Sequence, residues 1–468
     1  MIKAVVVLAA GQGTRMKSPL AKVLHPLLGR PVIVHVLESL GALTADRTFV
    51  VVGHQRQRVE PLLPAFGAQA IVQEPQLGTG HAVMSCLDAL TALGDAEVLL
   101  ASADVPLLPV ESLGRFWERF SAGSSKAALV SVTLQDPTGY GRLVRDGAGK
   151  LARVVEERDA TEAERAVSEV NAGVYFFRSP EVFRWLKGLG RQNAQGEYYL
   201  TDLFAALYAA GNPADVFSAG EPERWLGANT QAELAQATAR LRRDVVERWM
   251  AAGVTVMDPA TTWIETSVRM EPGVVLHPGV RLCGTTGLGA GVEVRSYSVL
   301  TDTAVGPGTL IKEHCVLEMT RVGADCIIGP FARTREGTVL EERVHLGNFV
   351  ETKKAVLGKG AKANHLSYLG DASVGGGSNI GAGTITCNYD GKLKHRTVLG
   401  EGVFIGSDTQ LVAPVSVGDG AYVGAGTTVT RDVPAGALAV SRAPQKNVEG
   451  WVERKRKRGE ASKAPSGS

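Results

Sequence analysis

Leu310-Ile311-Lys312-Glu313-His314-Cys315-Val316-Leu317-Glu318-Met319-Thr320-Arg321-Val322-Gly323-Ala324-Asp325-Cys326-Ile327-Ile328-Gly329 repeats an aliphatic residue at every sixth position, in Leu310, Val316, Val322 and Ile328. Thr334, Leu340 and Leu346 continue the phase. Val268, Val274 and Val280 take the same step, as do Leu288, Val294 and Leu300. So do Leu399, Ile405, Leu411, Val417, Val423 and Val429. A glycine often follows the aliphatic residue, as in Val322-Gly323, Ile328-Gly329 and Ile405-Gly406. A period of six with this composition predicts a parallel β-helix. The aliphatic residue points inward on each short face, and the small residue lets the chain turn to the next. Three faces close a coil of about 18 residues, and successive coils pair about 4.8 Å apart. Breaks in phase around 281–287, 347–368 and 381–398 predict insertions, the last holding Thr384-Ile385-Thr386-Cys387-Asn388-Tyr389-Asp390-Gly391.

Glycine supports this reading. Of 55 glycines in 468 residues, 33 lie in residues 251–468, without the Gly-X-Y period of collagen. A net charge of +2, with 44% hydrophobic and 21% charged residues, excludes a disordered chain and an overall basic nucleic-acid binder. Five cysteines without a CxxC pair argue against a disulfide framework or a zinc site and fit a reducing cytoplasm. No apolar run approaches the ~20 residues of a membrane span, and the opening apolar run leads into a glycine turn, not a cleavage site.

Residues 1–230 have a different pattern. Apolar runs at 2–8, 48–52, 97–101 and 127–132 read as strands, and helical patterns at 31–40 and 81–93 alternate with them. That predicts an α/β domain on a largely parallel sheet. In residues 231–252, Leu234, Ala237, Leu241, Val245 and Trp249 share one helix face, and Thr230 with Glu233 forms a capping box. This reads as a connecting helix. Residues 253–450 hold the repeat, and 451–468 read as a basic, disordered tail around Arg454-Lys455-Arg456-Lys457-Arg458.

Leu8-Ala9-Ala10-Gly11-Gln12-Gly13-Thr14-Arg15-Met16 ends the first strand in a glycine-rich turn able to aim backbone N–H groups at phosphate. It is neither a Walker A loop nor the dinucleotide fingerprint, because no Gly-Lys-Ser/Thr follows and Met16 replaces the third glycine. This turn with Lys22, together with Gln76-Leu77-Gly78-Thr79-Gly80-His81-Ala82, Ala103-Asp104-Val105-Pro106-Leu107 and Gly139-Tyr140-Gly141-Arg142, resembles the sugar-1-phosphate nucleotidyltransferases. The repeat half adds Gly329-Pro330-Phe331-Ala332-Arg333, Gly347-Asn348-Phe349-Val350-Glu351 and His365-Leu366-Ser367-Tyr368-Leu369-Gly370-Asp371. With these the resemblance narrows to the bacterial bifunctional family of UDP-N-acetylglucosamine synthesis. That family joins a glucosamine-1-phosphate N-acetyltransferase to an N-acetylglucosamine-1-phosphate uridylyltransferase, and so supplies peptidoglycan and lipopolysaccharide precursors.

The resemblance implies a Rossmann-like α/β nucleotidyltransferase domain followed by a left-handed parallel β-helix of hexapeptide repeats. It places Leu8, Ala9, Ala10, Gly11 and Gln73 at the uridine, Gly78 and Thr79 beside the base, and Ser102 and Ala103 among the substrate contacts. Arg15 and Lys22 match the residues that hold the triphosphate, Asp104 and Asn229 the Mg²⁺ site, and Gly141, Glu156 and Asn171 the sugar contacts. In the repeat half, Arg335, Lys353, Tyr368 and Asn379 match contacts to glucosamine-1-phosphate, and His365 the general base. Ala382, Asn388, Tyr389, Ser407, Ala425 and Arg442 match contacts to acetyl-CoA. UTP, acetyl-CoA and glucosamine-1-phosphate are the implied small-molecule partners of a cytoplasmic homotrimer, with no nucleic acid and no membrane. Ala21, Ala103 and Ala172 depart from the family pattern, and Ala103 narrows the room for a ligand.

The chemistry suits these residue types. Transfer at phosphorus needs charge neutralisation and alignment more than a protein nucleophile. Mg²⁺ takes oxygen ligands and keeps several waters, so one carboxylate and one amide suffice. Acetyl transfer needs a base for the glucosamine ammonium, and histidine titrates in the right range. Cys387 is read as packing and not as an acyl carrier, while His25 and His81 are read as structural. The competing reading is a monofunctional nucleotidyltransferase whose β-helix is regulatory or trimerising.

Overall fold

The computed structural model describes residues 1–441 and 443–461. It divides into two compact units, residues 1–247 and 248–468.

The first unit is built on a nine-stranded mixed sheet. Its strands are β1 (Ile2–Leu8), β2 (Arg47–Val52), β3 (Ala68–Val72), β4 (Ala96–Ser102), β5 (Ala127–Thr133), β6 (Arg142–Arg145), β7 (Leu151–Val155), β8 (Glu169–Arg178) and β9 (Asp215–Ser218). The main order is β9-β5-β8-β4-β1-β2-β3, with β6 and β7 attached through β8. The neighbours of β1 are parallel to it, and β8 runs antiparallel between β4 and β5. Near-continuous apolar runs such as Ala4-Val5-Val6-Val7 are wholly buried, because both sheet faces are covered. Two apolar cores result, one on each face of the sheet. The helix expected at 81–93 is two short ones, α1 (Thr79–Met84) and α2 (Leu87–Thr91), broken at Ser85-Cys86.

The connecting helix is α3 (Gln231–Ala251). Glu233 Oε2 accepts the Asn229 and Thr230 N–H groups while Thr230 Oγ1 accepts the Glu233 N–H, so the capping box forms as read.

In the second unit, strands of two to four residues stack into three parallel sheets of 11, 10 and 9 strands. Residues one coil apart pair, for example Ile311 with Ile328 and Leu346 with Ala363. This arrangement with hexapeptide repeats is consistent with a left-handed β-helix. Two positions per face point inward, not one. Met270, Leu276, Leu282, Leu288, Val294 and Leu300 form one buried series that winds round the three faces; Val268, Val274, Val280, Thr286, Val292 and Ser298 form the other. The expected break at 281–287 is therefore absent, because the sequence pattern there passes from one series to the other. Leu310 and Val316 are half-buried, and Ile311 and Leu317 point inward instead. Each adjacent aliphatic pair offers two phases, and a five-residue step from Leu317 to Val322 absorbs the difference. No insertion interrupts 347–368: Thr352 and Ala363 fill the inward positions, with one five-residue step from Thr352 to Leu357. The last break is a real insertion, which lengthens the step between inward positions to 13 residues from Thr386 to Leu399. Most buried hydroxyls along the stack are satisfied, as where Ser298 donates to the Lys312 carbonyl at 2.8 Å and Thr309 to that of Gly323 at 2.9 Å; among the described residues those of Thr266, Thr397 and Thr427 have no partner.

The tail departs from expectation. Trp451–Ala461 forms helix α4, because Glu453, Arg454, Lys455 and Arg456 are good helix formers.

Candidate functional site

In the first unit, the C-terminal ends of β1 and β4 open onto a cavity of about 650 Å³. Strand ends are where open α/β sheets bind ligands. Leu8, Ala9, Ala10, Gly11, Arg15, Lys22, Gln73, Gly78, Thr79, Ser102, Asp104 and Asn229 all line it. Gly13 turns there at φ 70°, and a Cβ on it would lie 2.5 Å from Lys22 Cβ. Only glycine lets Lys22 pack against the turn.

Lys22 Nζ forms an ion pair with Asp104 and lies 3.0 Å from Asn229 Oδ1. Arg15 Nη2 donates to the same amide oxygen at 2.7 Å. Burial opposes ionisation of Asp104, but the Lys22 charge and hydrogen bonds from Lys22 and Ser102 outweigh it and hold the carboxyl below its usual range. Both cations reach the Asn229 amide oxygen, but only Lys22 is paired with Asp104. A carboxylate oxygen and an amide oxygen already face one cation, a donor set that fits Mg²⁺ completed by waters and phosphate. Among the described residues no group of three or more His, Cys, Asp or Glu side chains could hold a metal.

Ala103, Gly141, Glu156 and Asn171 lie beside the cavity and do not line it. Ala103 is fully buried. Gly141 accepts the Asn171 N–H at 2.9 Å and sits against both Glu156 carboxylate oxygens. Asn171 Nδ2 donates to the hydroxyl of Tyr175, which does line the cavity. Burial pushes the Glu156 carboxyl up, against the Thr201 hydroxyl that donates to it at 2.9 Å. Gln12, Thr14 and Gln76, which stand in the quoted motifs without an assigned role, also line the cavity, as do Tyr175, Glu197 and Leu200, which the sequence reading missed. His81, read as structural, lies 3.2 Å from the Gln73 amide.

In the second unit, the chain passes from one sheet to the next at Leu366, with His365 ending one strand and Tyr368 opening another. Asn348 pairs in register with His365, and its Oδ1 lies 2.8 Å from His365 Nδ1. That contact puts the ring proton on Nδ1 and leaves Nε2 as the free basic nitrogen. On the sheet that Tyr368 enters, Arg335 pairs with Glu351 at 3.0 Å and Lys353 with Glu336 at 3.3 Å. Asn388 is buried and donates to Asp371 at 2.6 Å. Gly370 leaves room for both the Tyr368 hydroxyl and the Asn388 amide, each within 3 Å of where a Cβ would stand. Asn379 follows Lys362 one coil on. Ala382, Ser407 and Ala425 occupy one corner of consecutive coils, where Asp408 N–H donates to Ala382 and Gly426 N–H to Ser407. Tyr389 is exposed on the insertion, its hydroxyl bonded to the Gly391 carbonyl. Arg442 lies outside the described residues.

A MobA-like NTP transferase domain matches residues 5–174, and a bacterial transferase hexapeptide (six repeats) matches residues 396–431. Bifunctional protein GlmU of Trichlorobacter lovleyi is 44% identical over 459 residues, 98% of this chain and 100% of that protein. The Anaeromyxobacter sp. protein of the same name is 48% identical over 473 residues, covering 99% and 96% of the two chains. The Azoarcus sp. protein is 47% identical over 447 residues, covering 96% and 98%. The chain belongs to the GlmU family. It is a bifunctional transferase, a UDP-N-acetylglucosamine pyrophosphorylase and a glucosamine-1-phosphate N-acetyltransferase. Similarity to bifunctional GlmU proteins over both units leaves the monofunctional reading without support. No helix among the described residues is long and apolar enough to cross a membrane.

Proposed function

We propose that residues 1–230 carry the uridylyl transfer and residues 253–450 the acetyl transfer, joined by the helix at 231–252, with acetylation first. The convergence of twelve expected site residues on one cavity supports the first assignment. A phosphate oxygen of N-acetylglucosamine-1-phosphate attacks the α-phosphorus of UTP, and pyrophosphate leaves. Arg15, Lys22 and the N–H groups of the glycine turn hold the triphosphate in line and neutralise its charge. Asp104 and Asn229 would hold Mg²⁺, which supplies further neutralisation of the phosphates. Gly141, Glu156 and Asn171 take the sugar.

In the second unit, Arg335, Lys353, Tyr368 and Asn379 bind glucosamine-1-phosphate. His365 Nε2 takes the proton from its ammonium, and the amine attacks the thioester carbonyl of acetyl-CoA, releasing CoA. The Asn348 contact supports this role, because it fixes the tautomer a base needs. Ala382, Asn388, Tyr389, Ser407, Ala425 and Arg442 contact acetyl-CoA. The enzyme works in the cytoplasm as a homotrimer.

The test supplies glucosamine-1-phosphate, acetyl-CoA and UTP and detects CoA and pyrophosphate separately. With N-acetylglucosamine-1-phosphate as an alternative substrate, the second step is read alone. His365→Ala abolishes CoA release and spares pyrophosphate release from N-acetylglucosamine-1-phosphate. Asp104→Ala does the reverse. Loss of both activities in either folded variant refutes the two-site assignment.

A further inference from the structure

His81 stands on α1, just after the Gly78 turn, and its ring faces Gln73 across the loop. The Gln73 amide nitrogen lies 3.0 Å from the Gly78 carbonyl oxygen and 3.2 Å from His81 Nδ1. An amide nitrogen has no lone pair to accept with, so Nδ1 is the unprotonated ring nitrogen and the ring proton is on Nε2. Both amide hydrogens of Gln73 are thus taken by protein acceptors. Turning the amide over would set its oxygen against the Gly78 carbonyl oxygen, at the cost of that hydrogen bond and a repulsion, and would require the other His81 tautomer.

The imidazole is itself held. Tyr198 stacks on it with ring centroids 6.1 Å apart at 27°. Tyr198 is tied to the same loop at two points: its N–H donates to the Leu77 carbonyl at 2.8 Å, and its carbonyl accepts the Gly80 N–H at 2.7 Å. Gln73 is buried and lines the cavity, and among the described residues no group donates to its Oε1. The cavity therefore meets this side chain as an acceptor.

We infer that His81 is a positioning residue: it locks the Gln73 amide with its oxygen toward the base, and so selects a pyrimidine that carries hydrogen on N3 over one that carries a lone pair there. Uracil presents an N3–H donor, whereas cytosine presents an acceptor at N3 against the same oxygen. The inference rests on the assignment of Gln73 to the base, made above. His81 touches neither base nor phosphate in this account and acts only through Gln73.

Pyrophosphate release by the full-length enzyme with saturating N-acetylglucosamine-1-phosphate, titrated with UTP and with CTP, tests it. His81→Leu removes the acceptor and keeps the bulk. Its kcat/KM for UTP falls about five-fold, the worth of one neutral hydrogen bond, mainly through KM, and the UTP-over-CTP ratio narrows. His81→Asn places an oxygen acceptor where Nδ1 stood and restores most of that ratio, which a packing role for the ring would not predict. Gln73→Ala removes the preference. An unchanged UTP-over-CTP ratio in His81→Leu, or no rescue by His81→Asn, overturns the positioning role while Gln73 keeps its place at the base. A Gln73→Ala enzyme that still prefers UTP overturns the base assignment itself. An unchanged KM for N-acetylglucosamine-1-phosphate in each variant shows that the unit has folded.

Discussion

Gly347→Ala adds one methyl group to the corner that precedes Asn348. The glycine's backbone is not left-handed, so alanine meets no torsional strain there. The obstacle is the next coil: a Cβ would lie 2.0 Å from the Asn364 carbonyl oxygen and 2.5 Å from its carbon. An ordinary C···O contact is about 3.3 Å, so the two coils have to separate by roughly 1.3 Å. Both contacts fall on backbone, which no rotamer change relieves. Asn364 precedes His365, and Asn348 follows Gly347, so the separation acts directly on the 2.8 Å contact between Asn348 and His365. Overpacking of this kind costs about 1–3 kcal/mol of stability. A misplacement near 1 Å costs on the order of 100-fold in rate. We expect CoA release to fall about 100-fold, and the thermal transition of the β-helix to move to lower temperature. Pyrophosphate release from N-acetylglucosamine-1-phosphate serves as the control within the same protein and stays at the parent rate. A Gly347→Ala enzyme with parental CoA release and an unmoved transition refutes the claim that the two coils need a glycine at 347 to approach this closely.

Three further perturbations separate the parts of the first unit. Gly13→Ala at φ 70° takes on about 1–2 kcal/mol of left-handed strain and pushes against Lys22 Cβ at 2.5 Å; pyrophosphate release should drop at least about ten-fold with CoA release unchanged. Arg142 is fully buried, bonds the Tyr140 carbonyl and pairs at 2.7 Å with Glu157, which also accepts the Gly139 N–H. Arg142→Met should therefore raise the KM for N-acetylglucosamine-1-phosphate and leave that for UTP unchanged; equal rises in both would show a general collapse instead. Burial pushes the Cys86 thiol up to about 12 from an ordinary 9.0. The unfolded chain then loses this proton first, so the contribution is intact below pH 9.0 and is lost as pH rises toward about 12. Its slope is at most about 1.4 kcal/mol per pH unit, and urea melts of Cys86→Ala across this range should fall less steeply than those of the parent.

The fold was legible because both halves write their period into burial. The run Ala4–Val7 could only be a strand covered on two faces, and the six-residue step could only be a coil. What misled was local degeneracy: Leu310-Ile311 and Val316-Leu317 each offer two aliphatics for one inward position, and the five-residue step that chooses between them leaves no mark in composition. The cavity of the first unit was legible where a motif is continuous, as in residues 8–15. Tyr175, Glu197 and Leu200 reach it from distant segments, and nothing near them in the chain points to a ligand. The contact of His81 with Gln73 leaves no mark in the sequence, because Gln73 carries no charge and lies outside the helix that holds His81.

The second cluster follows another rule, and its missed members were recoverable. Asn348 and His365 are 17 residues apart, as are Glu351 and Tyr368, and Asp371 and Asn388. Arg335 and Glu351 are 16 apart. In a stacked coil these separations are the signature of direct neighbours, just as three or four residues are in a helix. A polar residue one coil before an expected site residue is therefore its predicted partner, and Asn348, Glu351 and Asp371 all satisfy that test. The same rule explains why rigid coils suit acyl transfer. In the assignment proposed above, His365 as base and Asn348 as its orienting amide are set by backbone pairing and a hydrogen bond between coils, and not by a mobile loop. The insertion beyond Asn388 is where the rule stops; Tyr389, exposed and bonded only within its own loop, is the one acetyl-CoA candidate among the described residues whose position the stack does not impose.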